Sequence, residues 1–188
     1  LMNKKYSILI VGLGRIGFGY DATKNKSSSP RSHLFAALEN MFFSEIFGVE
    51  VNSELREQIK KKISDPRVSI SERVPTQKRF DVAVVSTPSE IREDLIKDII
   101  KCQLKVLIIE KPLSLNLEEA IRIKKMTEVA NIEVRVNFHR RFDTQYLKIK
   151  PLITEKKPLL ILMKYGKGLY NYGLHHIDFL IDWFGQVS

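Results

Sequence analysis

The sequence predicts an α/β fold, a doubly wound parallel sheet followed by the start of an α+β second domain, and three observations carry that expectation. From Tyr6 to Val136 short apolar runs alternate with amphipathic stretches, the order that a parallel sheet with crossover helices requires. The first apolar run leads straight into glycines at positions 12, 14 and 17. After Phe138 the alternation gives way to a different pattern, so a first domain is expected over residues 1–142 and the incomplete start of a second over 143–188.

The strands expected in the first domain are Ser7 to Val11, Glu45 to Glu50, Val82 to Ser86, Val106 to Ile109 and Glu133 to Phe138, with a weaker one near Val68 to Ile70. Helices fall between them at Ser32 to Asn40, Ser53 to Lys62, Ile91 to Cys102 and Leu117 to Ala130, the last with Ser114 or Asn116 as N-cap. Tyr20 to Pro30 is polar, serine-rich and closed by proline, which reads as an inserted loop. Two roles are open for it, cover for a ligand or plain solvated chain. Beyond Phe138 the pattern predicts a helix over Thr144 to Ile153, an apolar strand from Leu159 to Lys164 and a helix from His175 to Phe184. That strand has no evident partner, and a lone strand is not stable in water. In the last helix Leu174, Ile177, Leu180, Ile181 and Phe184 form an apolar stripe expected to be core.

Composition narrows the function. The 188 residues are 44% hydrophobic and 28% charged, enough to bury one good core and part of another. The single cysteine, Cys102, excludes an internal disulfide and fits a reducing compartment, so a cytoplasmic location is expected. The run from Ser7 to Gly12 is short and enters glycines rather than a cleavage site, so it reads as a buried strand and not as a signal peptide. No apolar stretch approaches the roughly 18 residues of a membrane span, so no membrane partner is expected. The formal charge of +9 is scattered over doublets and one triplet, Lys60-Lys61-Lys62, as solvated helix ends and loops are. That argues against nucleic acid, while a basic surface still favours anionic ligands such as cofactor phosphates.

Gly12-Leu13-Gly14-Arg15-Ile16-Gly17 follows the first strand directly. The first glycine allows a tight turn, the second lets backbone approach a pyrophosphate, and the third permits close packing of the succeeding segment, with backbone N–H groups and a helix end holding the anion. This is the Rossmann dinucleotide signature in its strand-to-turn context. Glu50, ending the second strand, can accept from both ribose hydroxyls and repel a 2′-phosphate, which favours NAD. NADP stays open because Arg56 or Lys60 could meet a phosphate. Thr87-Pro88 ends the next strand where ligands of such sheets bind, though the pair also suits a helix start. Glu110-Lys111-Pro112 ends another. Lys111 there is either half of a strand-end ion pair or, lying by the crevice, a group able to share a proton with a reacting oxygen.

Taken together, the glycine loop, Thr87-Pro88, Glu110-Lys111-Pro112, Asn137-Phe138-His139-Arg140-Arg141-Phe142 and Asn171-Tyr172-Gly173-Leu174-His175, with Ile177-Asp178 after it, closely resemble the glucose-fructose oxidoreductase, inositol dehydrogenase and rhizopine-catabolism family, over nearly the whole chain. The resemblance implies a two-domain NAD(P)-dependent oxidoreductase acting on a sugar, sugar-nucleotide or cyclitol carbon, its substrate phosphorylated or not. It implies Lys111 and His175 as catalytic residues with Asn171 beside them, and Glu110, Asn137 and Arg140 as further cofactor-binding residues. It also implies a second domain built on an open antiparallel sheet, a common homo-oligomer interface in the family. Two positions depart from the family's pattern. Asn171 stands where an aspartate is usual, and an amide cannot stabilise a cation as a carboxylate does. Arg92, often histidine in the family, could contact phosphate or cover the helix surface.

Other histidines carry less. His175 and His176 are adjacent and point about 100° apart on a helix, with no Cys or Asp cluster nearby, so no metal is expected. His139 reads as packing or surface beside Arg140. Two other classes fit parts of the pattern: a catalytically weak or inactive NAD-binding regulatory protein, which Asn171 would suit, and a Rossmann methyltransferase, against which Glu110-Lys111-Pro112 and Asn137 argue.

Overall fold

The structure is a computed structural model and describes residues 5–22, 29–156 and 158–186. Six strands, β1 (Tyr6–Val11), β2 (Phe43–Val49), β3 (Val68–Ser71), β4 (Val82–Val85), β5 (Val106–Glu110) and β6 (Glu133–Asn137), form one sheet in the order β3-β2-β1-β4-β5-β6. The pairs β1–β2, β1–β4, β2–β3 and β4–β5 are parallel. Such strands are covered on both faces and therefore read as continuous apolar runs; Ile8 to Val11 and Ala83 to Val85 are fully buried.

The helices α1 (His33–Glu39), α2 (Ser53–Lys62), α3 (Arg92–Ile100) and α4 (Leu117–Val129) supply the two layers. Leu34, Ala37 and Ile59, from α1 and α2, pack with Ile8, Ile10 and Ile46. Ile96, Ile99 and Ile123, from α3 and α4, pack with Leu9, Val85, Leu107 and Ile109. Alternate residues of each strand thus feed opposite cores, as the period of two requires. Of the two caps offered for α4, Asn116 takes the role, its Oδ1 accepting from Glu119 N at 2.8 Å.

The first helix departs from the simple pattern. After the glycine loop one turn forms, with Phe18 N and Gly19 N donating to Gly14 O, and the chain then leaves the helix path. It returns at His33, whose N–H donates to Ile16 O, while Leu34 N–H donates to Gly17 O. In an unbroken helix those carbonyls would accept from residues 20 and 21. Hence the expected Tyr20–Pro30 loop is a detour inside the helix rather than a spacer before it. Gly19–Asp21 is a 3₁₀ turn, and residues 23–28 of that loop lie outside the described residues. Buried Asp21 closes the base, accepting from Arg31 N, Ser32 N and Ser32 Oγ at 2.7 Å each.

The chain divides into two compact units, residues 1–136 and 137–188. Among the described residues the second holds a 3₁₀ turn (His139–Phe142), α5 (Thr144–Lys156), a π-helical turn (Leu169–Gly173) and α6 (Leu174–Phe184). Residues 137–142 lie in this second unit, where Arg141 pairs with Asp178 of α6. The strand expected over Leu159 to Lys164 does not form; Leu159, Leu160 and Leu162 are exposed, and among the described residues no strand pairs with them. The expected stripe on α6 is also corrected. His175, Asp178 and Phe179 are buried, while Ile177, Ile181 and Phe184 are 41–42% exposed, because stacking of Phe179 on Tyr146 at 4.2 Å and the Arg141 pairing cover the other face.

At the amino end of the sheet Asp81 ties two strands, its Oδ2 accepting from Ser7 N at 3.0 Å and Ser7 Oγ at 3.2 Å, with Lys105 Nζ 3.2 Å from Oδ1. The backbone bond from Ser7 above all, aided by Lys105, lowers the Asp81 pKa from its ordinary value. A depressed folded pKa means stability present above the unfolded value and lost as pH falls through the folded one. Asp81→Asn is therefore expected to cost about 1 kcal/mol at neutral pH and to flatten the acid limb of a stability profile below roughly pH 4, measured by urea denaturation.

Candidate functional site

The strand order reverses between β1 and β4, and the loops that follow those two strands meet at their carboxyl ends, where open α/β sheets bind ligands. Gly12, at φ +88°, occupies a conformation that side chains disfavour. A Cβ there would stand 2.9 Å from Thr87 Cγ2 and 3.0 Å from Thr87 N, so the glycine loop and the Thr87 loop are in direct contact. Ser86 Oγ seals the junction by donating to Gly12 O at 2.7 Å. Gly17 is required for packing, since a Cβ would lie 2.1 Å from Gly12 O. Gly14 differs from both: nothing lies within 4 Å of its Cβ position, so the loop's middle is open above its backbone.

The loop is held from the side by Glu50. Its Oε2 accepts from Leu13 N at 2.8 Å and its Oε1 from Asn52 N at 3.0 Å. A carboxylate has about four acceptor positions, so two bonds to backbone leave capacity for hydroxyl donors. The two cations considered for a 2′-phosphate are engaged elsewhere. Arg56 Nη1 donates to the carbonyls of Glu50 and Val51 at 2.8 Å each, with Nη2 3.5 Å from Glu72. Lys60 Nζ donates to Glu57 at 2.9 Å. Arg15 is exposed, its guanidinium 4.9 Å from the Tyr20 ring, and Ile16 supplies the carbonyl that His33 bonds.

Arg92 neither faces a phosphate nor covers a helix surface, the two roles its sequence position offered. It is 3% exposed. Its Nε and Nη2 donate to Thr87 O at 3.1 and 2.7 Å, and its Nη1 donates to Glu110 O and Pro112 O. The guanidinium thus joins the end of β4 to both neighbours of Lys111. Burial pushes its pKa down, opposed chiefly by the Glu110 carboxylate, yet an arginine stays charged under such conditions. The Lys111–Pro112 peptide is cis. Glu110, also buried, is 2.9 Å from His33 Nε2 through Oε1. Sequence reasoning missed His33 and the role of Arg92, because each is defined by partners distant in the chain.

In the second unit Arg140 stacks over Tyr172, its guanidinium carbon 4.9 Å from the ring centroid. His175 is 4% exposed and meets Phe138 and His139 edge-on at centroid distances of 6.0 and 5.3 Å. Asn171 is exposed on the π-helical turn and Asn137 is half-buried at the end of β6. Arg141, part of the Asn137–Phe142 motif but given no role of its own there, grips Asp178 with Nε to Oδ2 at 2.7 Å and Nη2 to Oδ1 at 2.5 Å. That fork, strongest when bidentate, fixes α6 one turn from His175. Among the described residues no group of three His, Cys, Asp or Glu is placed to hold a metal ion, and no helix is long and apolar enough to cross a membrane.

A glycine loop at the switch point of a doubly wound sheet, with an acidic residue ending β2, defines a dinucleotide-binding Rossmann domain. Residues 6–138 match the family described as "Oxidoreductase family, NAD-binding Rossmann fold", the Gfo/Idh/MocA oxidoreductases. The chain belongs to that family. Its fold is shared with the apo scyllo-inositol dehydrogenase of Lactobacillus casei (TM-score 0.74, 21% identity, 98% of this chain and 56% of that one). It is shared too with the myo-inositol 2-dehydrogenase of Lactobacillus plantarum (0.74, 17%, 97% and 57%) and an NAD-binding protein of Listeria innocua (0.69, 21%, 96% and 55%). The chain thus spans about half the length of these structures. No curated protein matches the sequence.

The site fits the family's cofactor on its own terms. Above the open face of Gly14, a pyrophosphate can approach backbone N–H groups, and Thr87 Oγ1 is buried with no hydrogen-bond partner among the described residues, a polar atom left for a ligand. Arg92→Met would strand carbonyls of Thr87, Glu110 and Pro112 and is expected to cost about 2–4 kcal/mol. Gly17→Ala, whose new methyl would run into the backbone of Gly12 and Leu13, is expected to cost about 3 kcal/mol. Chemical denaturation of both variants beside the parent checks the pair.

Proposed function

We propose that the protein is an NAD(P)-dependent oxidoreductase that moves hydride between a nicotinamide cofactor and a CH–OH carbon of a sugar, sugar-nucleotide or cyclitol. What carries this reading is the contact between the glycine loop and the Thr87 loop at the sheet's switch point, tied through Arg92 to the residues flanking Lys111. Family membership and the inositol dehydrogenases that share the fold support the substrate class. Phosphorylated and nucleotide-linked substrates suit the net charge of +9.

The N–H groups of residues 12–17 would hold the pyrophosphate, Thr87 and Pro88 would border the nicotinamide ribose, and Glu50 would accept from the adenosine ribose. Glu110, Asn137 and Arg140 complete the cofactor-binding set. NAD is preferred over NADP, since Glu50 repels a 2′-phosphate and both Arg56 and Lys60 are otherwise engaged. When bound, the nicotinamide ring supplies the hydride chemistry. The protein's part is proton handling: the His175 imidazole takes the substrate hydroxyl proton, and the Lys111 ammonium stabilises the oxygen as it gains negative charge. Asn171 would orient His175 without lending it a carboxylate's charge. A second reading, nucleotide binding without turnover, rests on that exchange.

Lys111→Ala and His175→Ala are each expected to lower turnover on a responsive polyol or sugar by about 10²–10⁴-fold while NADH still binds, read by nicotinamide fluorescence and steady-state assay. Unchanged turnover in both variants would overturn the catalytic assignment. Saturable NADH binding with no turnover across polyols, sugar phosphates and sugar nucleotides would favour the second reading. NADH is expected to bind more tightly than NADPH, and Glu50→Ser to narrow the difference.

A further inference from the structure

β2 and β3 finish side by side at the end of the cradle assigned above to the adenosine ribose. They run parallel with Val49 opposite Ser71, and Glu50 N donates to Ser71 O at 3.0 Å, so Glu50 and Glu72 are the residues that leave the two strand ends. Ser71 Oγ donates to Arg73 O at 2.6 Å, which curls the chain around Glu72. Arg56 of α2 reaches both ends. Its Nη1 donates to Glu50 O and Val51 O at 2.8 Å each, and its Nη2 meets Glu72 Oε2 at 3.5 Å.

The two edges of this guanidinium have separate duties. The carbonyl bonds come from a side chain only 16% exposed and hold the turn that carries Glu50. The contact with Glu72 faces outward, its carboxylate being 57% exposed, and a pair of that kind adds little to stability. Its effect is on charge: the carboxylates of Glu50 and Glu72 stand against one guanidinium, and Lys60, one turn along α2, is paired with Glu57. A corner with that balance repels a phosphate. An arginine with an unclaimed edge does the reverse, since its fork matches phosphate oxygens.

From this we infer that Glu72 is a specificity-determining residue for the cofactor. It claims the outer edge of Arg56 and so keeps a guanidinium beside Glu50 from receiving a 2′-phosphate. The choice of NAD over NADP is then made by two acids on neighbouring strands, Glu50 through its own charge and Glu72 through Arg56. The inference deepens the proposed function and rests on it.

The test is a binding cycle on the folded protein with NADH and NADPH, read by nicotinamide fluorescence at one fixed low salt concentration. Glu72→Gln is expected to leave NADH affinity close to the parent's and to tighten NADPH about fivefold. Arg56→Gln in the Glu72→Gln background is expected to abolish that gain. Should Arg56→Gln fail to fold, Arg56→Lys takes its place; its single ammonium cannot hold the turn and a phosphate together, so most of the gain is expected to go. Parent-like NADPH affinity in Glu72→Gln overturns the inference. So does a gain that survives intact in the double variant, because Glu72 would then act by its own charge and not through Arg56, and so does a parent protein that prefers NADPH. A parent protein that binds neither nucleotide overturns the function proposed above and this inference with it, whereas NADH binding with an unmoved NADPH affinity in Glu72→Gln overturns this inference alone.

Discussion

Parallel strands that end together leave a row of carbonyl groups with no further chain to pair them, and a binding site at that edge keeps those ends close to a ligand. Here one buried guanidinium meets that constraint. Arg92 reaches the last carbonyls around β4 and β5 from the first turn of α3, and each of those bonds ends on backbone oxygen. Carbonyl dipoles and the nearby Glu110 charge offset the loss of water around the cation. The loops that end β4 and β5 are consequently held through backbone atoms.

A second layer of fixation is electrostatic and runs along the cradle. Glu50 accepts from the loop's own N–H at Leu13, and His33 connects the loop's return to Glu110. Both are carboxylate contacts formed away from bulk solvent, where hydrogen bonds are firmer than at the surface. In the smaller unit the Arg141 fork onto Asp178 fixes α6 one turn from His175, as Arg92 fixes the carbonyls on either side of Lys111.

How far the sequence reveals this arrangement depends on the range of each interaction. The strands and the four flanking helices are readable because a doubly covered sheet demands unbroken apolar runs, and the runs at Ile8, Val82 and Val106 have little else to be. The glycine loop is readable because backbone geometry at Gly12 and Gly17 admits no other residue. Arg92 and His33 are not. A charged residue at the start of a helix resembles any solvated one, and nothing local says that residue 33 meets residue 110. The α6 stripe shows the opposite failure: periodicity finds an apolar face but not whether a neighbour covers it, and Asp178 is buried because Arg141 comes to it. Leu159 to Lys164 has strand composition, but pairing is a property of two segments.

The detour in the first helix has a bearing on how such a domain tolerates change. Because Ile16 and Gly17 bond to His33 and Leu34 as though the helix had never been interrupted, and because Asp21 staples the two stems together, a chain joined at these stems keeps the backbone of the glycine loop in helical register, much as a splint holds two ends of a broken rod in line.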